Sequence, residues 1–422
     1  MNIQQANEYF AALAQQPADT DTARAVLRQL GCALETTRFI TVTGSAGKTA
    51  VASMTAAILH AAGFPVGLYT AGTQPLRRRL WVNGSPADGR AYAAQASRLA
   101  KLLPLDRAAA ELVCAAALFE KAGCAFAVVE LPDPALADIL PRLAACAVTA
   151  IGPDGTGRSL ERMAYTAAST FREGVPAVTA PGQPKAALQE IIVAAGKVGC
   201  PLTVPQQEDF TPQKRRGLEN RVDYGGYNVV LPTAGSHAAQ NAAMAVELAL
   251  ALWRAGVPVE DEAILAGLAA ADARSGVRVL RRRPLTVLDP CHTPMQAAAL
   301  AAALRELGCT SLSLIAGLSG QDDAEAFFSA LETGALAPKQ QTEKNRMAGM
   351  AENAFDKVYL VTAGQPGALT AEQLAQTAKY HFDARPCADL PGAIAQARAD
   401  QNEGVVVCGD TAFVAQAEAL LK

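Results

Sequence analysis

The chain has 422 residues, half of them hydrophobic, with 37 basic against 40 acidic side chains, a net charge of −3 and a pI near 5.9. That length points to two or three domains with sizeable cores, the near-neutral balance argues against a nucleic-acid partner, and no apolar run reaches the length of a membrane span. Nine scattered cysteines with no Cys-x-x-Cys pair, and no signal-peptide core in the first twenty residues, argue against a disulfide framework or zinc site and for a reducing cytoplasm.

Residues 1–37 read as helices: Tyr9, Phe10 and Leu13 make one apolar stripe, and Ala23, Val26, Leu27 and Leu30 make another, ended by Gly31. Phe39–Val42 is β-branched or aromatic throughout and reads as a buried strand. The loop Gly44-Ser45-Ala46-Gly47-Lys48-Thr49 follows, and an alanine-rich helix runs over 50–62. Strand, glycine loop and helix start together form a phosphate cradle, because glycines let backbone N–H groups approach phosphate oxygens and the helix end adds its positive dipole. Gly44, Ser45, Gly47, Lys48 and Thr49 are therefore the candidate nucleotide-binding residues. Lys48 is placed to reach the outer phosphates and Thr49 to offer a hydroxyl to Mg2+. Position 42, where the longer form of this loop needs its first glycine, is Val42. The competing reading is an ordinary strand-to-helix turn that happens to contain Gly-Lys-Thr.

Strand 64–70, a loop 71–75 and a short strand and turn over 79–84 come next, then a largely helical stretch 88–122 interrupted at Pro104. The arginine runs 77–79 and 281–283 read as solvated turns. Cys124–Leu131 is an apolar strand carrying Glu130 near its end, where open α/β sheets bind ligands. Glu130 is thus the second metal candidate beside Thr49, with a capping or salt-bridged strand end as the alternative. Strands at 146–151, 175–179 and 201–204 alternate with helices at 159–172 and 185–198, which predicts a doubly wound, mostly parallel sheet. Residues 222–230 read as a hairpin around Gly225-Gly226, and Gly235-Ser-His-Ala-Ala-Gln-Asn241 opens a long helix to about Ala255. A helix at 261–270 follows, and 271–276 is the expected domain boundary. Beyond it the alternation restarts: strand Leu285–Asp289, loop 290–294, helix 295–307, strand 311–316, a polar insertion 336–353, strand 357–362, helices 371–380 and 391–399, strand 405–408 and a closing helix. His237 reads as a helix-start residue, and His60 and His381 as surface or helix residues.

In this order the pieces resemble the folylpolyglutamate synthases of the Mur ligase superfamily over nearly the whole chain. Thr43-Gly-Ser-Ala-Gly-Lys-Thr49 is similar to that family's phosphate loop, and Val66-Gly-Leu-Tyr-Thr70 with Val82-Asn-Gly84 to the segment after it. Val128-Val-Glu130, Gly235-Ser-His237 with Asn241, Leu288-Asp289-Pro-Cys-His292-Thr-Pro294 and Val405–Val414 resemble four further motifs. The resemblance implies a P-loop ATP-binding domain over 1–274 and a smaller Rossmann-like domain over 275–422. It implies ATP and Mg2+ as cofactors, with Asn241 against the adenine base and Lys48, Asp289 and His292 in catalysis. It also implies an amide ligase that adds glutamate to a folate or similar carboxylate through an acyl phosphate, with small-molecule partners only, as a cytoplasmic monomer.

Several positions depart from the family pattern. Ala71, Gly155 and Ala167 stand where it has two metal ligands and a lysine that supports the metal region, and Ala46 replaces the loop asparagine. Arg274 and Arg278 are the nearest replacements for an interdomain arginine. The metal site is therefore expected to be degraded. The alternatives are a nucleotide-binding paralogue without ligase activity, or an unrelated P-loop kinase.

Overall fold

A computed structural model describes residues 1–14, 19–102, 104–153, 157–211, 219–272, 276–320, 322–335, 355–364, 367–400 and 402–422. Helices α1 (Ile3–Ala12) and α2 (Thr20–Gln29) open it. Asn2 and Asp19 cap them by accepting from Gln5 N and Thr22 N, which satisfies donors a helix start leaves without intrahelical partners. There follow β1 (Arg38–Thr43), α3 (Lys48–Ala61), β2 (Val66–Tyr69), β3 (Leu80–Val82), β4 (Ser85–Pro86), α4 (Gly89–Leu99), α5 (Arg107–Lys121) and β5 (Phe126–Glu130). Then come β6 (Leu143–Val148), α6 (Leu160–Ala167), β7 (Ala177–Thr179), α7 (Lys185–Val198) and β8 (Leu202–Thr203).

These eight strands form one sheet in the order β4-β3-β2-β5-β1-β6-β7-β8. Its pairings are parallel except β2–β3 and β3–β4 at one edge. Helices cover both faces, so the central strands are apolar on both sides. Ile40, Val42 and Val128 pack into the cluster that includes α3, while Phe39, Ala127 and Val129 pack toward α5. β1 lies between β5 and β6. The chain therefore leaves β1 where connections diverge to the two halves of the sheet, the position at which doubly wound sheets open a crevice for ligands.

The hairpin β9 (Asn220–Tyr224) and β10 (Tyr227–Leu231), with α8 (Ser236–Arg254) and α9 (Asp261–Ala270), packs on the α3 face. A second sheet begins with β11 (Arg278–Arg282) and β12 (Leu285–Asp289). It continues through α10 (Pro294–Glu306), β13 (Leu312–Gly317), α11 (Ala324–Ala335), β14 (Phe355–Val361), α12 (Ala371–Ala378), β15 (Ala384–Cys387), α13 (Leu390–Ala399), β16 (Gly404–Gly409) and α14 (Thr411–Leu421). Its order is β11-β12-β16-β13-β14-β15, parallel except for β11 against β12. The two sheets meet at two places that bear on the site. Gln74 Nε2 donates to Thr411 O at 3.0 Å. Met295 at the start of α10 packs so closely on Gly152 that a Cβ there would lie 2.5 Å from its Sδ.

The structure corrects several sequence expectations. The strand expected at 146–151 spans Leu143–Val148, because parallel pairing with β1 extends it N-terminally. β11 and β15 were not expected; both are edge strands, and β15 contains a proline that edge pairing tolerates. Arg79 is not part of a solvated turn but is buried and paired with Glu111. His381 is not a surface residue: its side chain is 11% exposed and lies against two glutamates. The insertion 336–353, Asp154, Gly155 and Arg274 lie outside the described residues, as do residues 273–275 of the expected boundary.

Candidate functional site

The phosphate loop begins where β1 ends. Gly44 and Gly47 have φ of +121° and +88°, conformations that favour glycine. Both are also sterically fixed. A Cβ on Gly44 would lie 2.3 Å from Thr149 Oγ1, and one on Gly47 would lie 2.5 Å from Asn241 Oδ1. Asn241, on the second turn of α8, therefore covers the last loop glycine. Ser45 N and Ala46 N donate to Ala150 O at 3.0 and 3.1 Å, so these two amides are occupied by the loop after β6. The N–H groups at the start of α3, around Lys48 and Thr49, are those that a helix start leaves for an anion. Lys48 Nζ donates to Gly44 O at 3.0 Å and Ser45 O at 3.2 Å, folding the ammonium over the loop.

Thr49 Oγ1 donates to Glu130 Oε2 at 2.8 Å, and Ala71 N donates to the same oxygen at 3.2 Å. Two candidate metal ligands expected from distant parts of the sequence are thus in direct contact. Glu130 is 4% exposed. Burial raises its pKa, and the nearby Lys48 ammonium, the Thr49 hydroxyl and the Ala71 amide pull it back toward the charged form. Ala71 offers only its backbone here. Ala167, at the end of α6, is buried and offers its carbonyl to Thr43 Oγ1 at 3.1 Å. Among the described residues no group of three or more His, Cys, Asp or Glu side chains could hold a metal. Asp133, a further carboxylate near the strand end, accepts from Ala135 N as a cap.

In the second domain, Asp289 ends β12 opposite Cys408 of β16. It is 7% exposed, and burial pushes its carboxyl up to about 7, with a contact from Cys291 acting in the other direction. His292 follows in the loop before α10. Its backbone N donates to Gln296 Oε1 at 3.1 Å, while its Nδ1 is buried without a partner among the described residues. Asp410 Oδ2, at the end of β16, is likewise buried and unpaired. Because Met295 of the same helix start lies on Gly152, and Gly152 N donates to Ser45 Oγ at 3.3 Å, the His292 loop borders the phosphate loop. Arg278, considered for an interdomain role, is engaged in a pair with Glu418, Nη1 donating at 3.0 Å. His237 sits against Gly235 at the start of α8, and burial lowers its pKa.

The sequence reading missed one group beside this site. Arg79 Nε and Nη1 donate to Gln74 O and Thr70 O at 2.8 and 3.1 Å, and Nη2 to Glu111 Oε1 at 2.6 Å. Tyr69 Oη also donates to Glu111, at 3.1 Å. The signal was present: Glu111 is a lone carboxylate in the apolar run Ala108–Phe119, and a buried carboxylate requires a partner.

No family model matches the chain. It is 28% identical, over 94% of its length, to a probable bifunctional folylpolyglutamate synthase/dihydropteroate synthase of Haloferax volcanii, of which it covers 48%. The chain thus spans about half the length of that relative. Among solved structures it superposes on Mycobacterium tuberculosis folylpolyglutamate synthase complexed with ADP, with a TM-score of 0.84 at 21% identity, covering 99% of this chain and 98% of that one. It superposes also on the bifunctional folylpolyglutamate synthase/dihydrofolate synthase of Yersinia pestis complexed with AMPPNP and Mn ion, with a TM-score of 0.81 at 23% identity, covering 100% and 98%. At these identities the structural matches establish the fold.

Proposed function

We propose that this chain, folylpolyglutamate-synthase-like in sequence and fold, is an ATP-dependent ligase that joins glutamate to a folate-like or other carboxylate, with domains 1–274 and 275–422 closing on the nucleotide. The observation that carries this reading is the contact between Thr49 and Glu130 at the start of α3, 2.8 Å apart, directly beside the Lys48 ammonium. A simple strand-to-helix turn does not require a buried carboxylate there.

The residues present fit the nucleotide. Gly44 and Gly47 hold a cradle that side chains would fill, the start of α3 supplies the N–H groups that a helix start leaves without intrahelical partners, and His292 Nδ1 is an orphaned buried acceptor or donor at its border. They also fit a divalent cation of the Mg2+ kind, which takes one or two carboxylates and fills the rest of its shell with phosphates and water. Glu130 and Thr49 would hold it. ATP with its cation supplies the phosphoryl group that activates the acceptor carboxylate and the positive charge that the transfer requires. Lys48 has to release Gly44 O and Ser45 O to turn toward that group. Asn241 is positioned over the loop for the nucleotide. Asp289, with its carboxyl pushed up to about 7, is suited to take a proton from an incoming ammonium near neutrality. The same reading takes the protein as a cytoplasmic monomer with small-molecule partners. None of its described helices is long and apolar enough to cross a membrane.

A second reading, a nucleotide-binding protein without ligase activity, is favoured by Ala71 and Ala167, which bring no side-chain ligand to the site. Loss of one preorganised electrostatic contact costs about 100- to 1000-fold in rate, so the expected turnover lies well below the common enzyme value of about 10 per second. The test is ADP release and amide product with Mg-ATP, glutamate and dihydropteroate or tetrahydrofolate. Slow turnover that needs both acceptor and glutamate and vanishes in Lys48→Ala is expected. Tight ADP binding with no amide product for either acceptor would select the second reading.

A further inference from the structure

The far half of α3 borders a cavity that the phosphate-loop chemistry does not use. It has a volume of about 320 Å³ and lies between α3, the β2–β3 edge and α9. Its size has a local cause. α9 approaches α3 so closely at Gly267 that a Cβ there would lie 2.4 Å from Ile58 Cα. Either side of that crossing the facing residues are small: Ala56, Ala57 and Ala61 on α3, Ala266 and Ala270 on α9. The backbones are pinned together at Gly267, and alanines cannot fill the space that opens beside it. Ala61, Ala266 and Ala270 are exposed, so the cavity is a cleft open to solvent and not a sealed void.

Small residues alone make a cleft, not a site, but this one has polar groups, the Asp272 carboxylate among them. Ser53, 6% exposed, lines it. Its hydroxyl makes no hydrogen bond among the described residues, whereas Thr55, two residues on, returns a bond to Val51 O at 2.8 Å. The Ser53 oxygen is not sealed off: it opens onto the cavity, where a bound group can donate to it or accept from it. His60 stands at the rim with both ring nitrogens available, one helical turn beyond Ala56 and Ala57. Trp81 of β3 supplies the large aromatic wall. Mostly apolar walls, a few converging polar groups and a few hundred Å³ are the features of small-molecule sites.

We propose that this cavity is an accessory ligand site for a flat heteroaromatic molecule of one or two fused rings, stacked against Trp81 and hydrogen-bonded at its edge to Ser53 and His60. The volume is too small for a peptide helix and suits a bicyclic ring. The alanine walls admit a flat body, and aromatic rings gain most against an aromatic wall. Ser53 lies five residues beyond Lys48 on the same helix, about 7.5 Å along its axis. The site is thus separate from the phosphate loop but rigidly joined to it. It does not depend on whether the loop serves a ligase.

The probe is 7-azaindole, a bicyclic ring with one donor and one acceptor on the same edge, titrated calorimetrically into the full chain, with ADP titrated separately. Saturable one-to-one binding is expected, weakened at least tenfold in Ala57→Phe, which fills the cavity, and about fivefold in Ser53→Ala. ADP affinity should stay within twofold in both. Ala270→Leu fills the space from α9 and serves if Ala57→Phe fails to give a cooperative melt. No saturable heat from the wild type at 5 mM probe overturns the proposal, and so does unchanged probe affinity in a folded cavity-filling variant. Loss of ADP binding with probe binding intact would instead count against the ligase reading alone.

Discussion

Arg79 is 4% exposed and its guanidinium is shared among Glu111, Thr70 O and Gln74 O. Two of these acceptors flank Ala71, whose amide reaches Glu130. The buried ion pair therefore fixes the loop that touches the candidate metal ligand. Arg107 Nε also donates to Glu111 Oε1, at 3.0 Å, so loss of Arg79 leaves that buried carboxylate with one cation instead of two. Arg79→Met should cost less than the roughly 3–5 kcal/mol of a fully orphaned buried charge, and the double change Arg79→Met with Arg107→Met, which strips both cations from Glu111, should approach that figure. Urea unfolding of both variants checks this; equal losses would show that packing, not the orphaned charge, sets the cost.

At the scale of elements, α11 and the turn after α12 are joined by His381. Its Nδ1 lies 2.7 Å from Glu332 and its Nε2 3.1 Å from Glu325, one helical face of α11. Burial lowers the imidazole pKa, but the two carboxylates outweigh it and raise the pKa overall. A raised folded pKa means that the folded state binds the proton more tightly than the unfolded chain does. The stabilisation is fully present below the unfolded value of about 6.5 and is lost as pH rises through the folded one. Denaturation midpoints should fall across that window above pH 6.5 in the wild type. His381→Gln should remove this part of the slope, and an unchanged slope would exclude His381 as its source.

Across the whole molecule, the two sheets touch at Gln74–Thr411 and at Gly152–Met295, on either side of the crevice that holds the phosphate loop. A ligand bound to the folded chain and not to the unfolded one stabilises it by mass action. ADP at about 100 times its Kd should add roughly 2.7 kcal/mol. The melting temperature should rise in the wild type and stay unmoved in Lys48→Ala at the same ADP concentration. An equal rise in both would place the nucleotide elsewhere.

The sequence by itself determined the class of fold and the strand, glycine loop and helix start at Gly44–Thr49. Both are written in local pattern: β-branched strands, alanine-rich helices, and glycines followed by Lys48 and Thr49. It also put Glu130 and Asp289 at strand ends, because a doubly wound sheet has its crevice there. It failed where a residue's role depends on a distant partner. Arg79 in a run of arginines looks solvated until Glu111, 32 residues away, is folded beside it. His381 looks superficial until α11 brings two carboxylates to it. Edge strands β11 and β15 carry arginine and proline because only one side of each is paired, so their composition resembles a loop. Only the tertiary structure decided that Thr49 meets Glu130, that Asn241 covers Gly47 and that α3 and α9 leave a cavity. Each follows from chain segments packing across distances that no local pattern encodes.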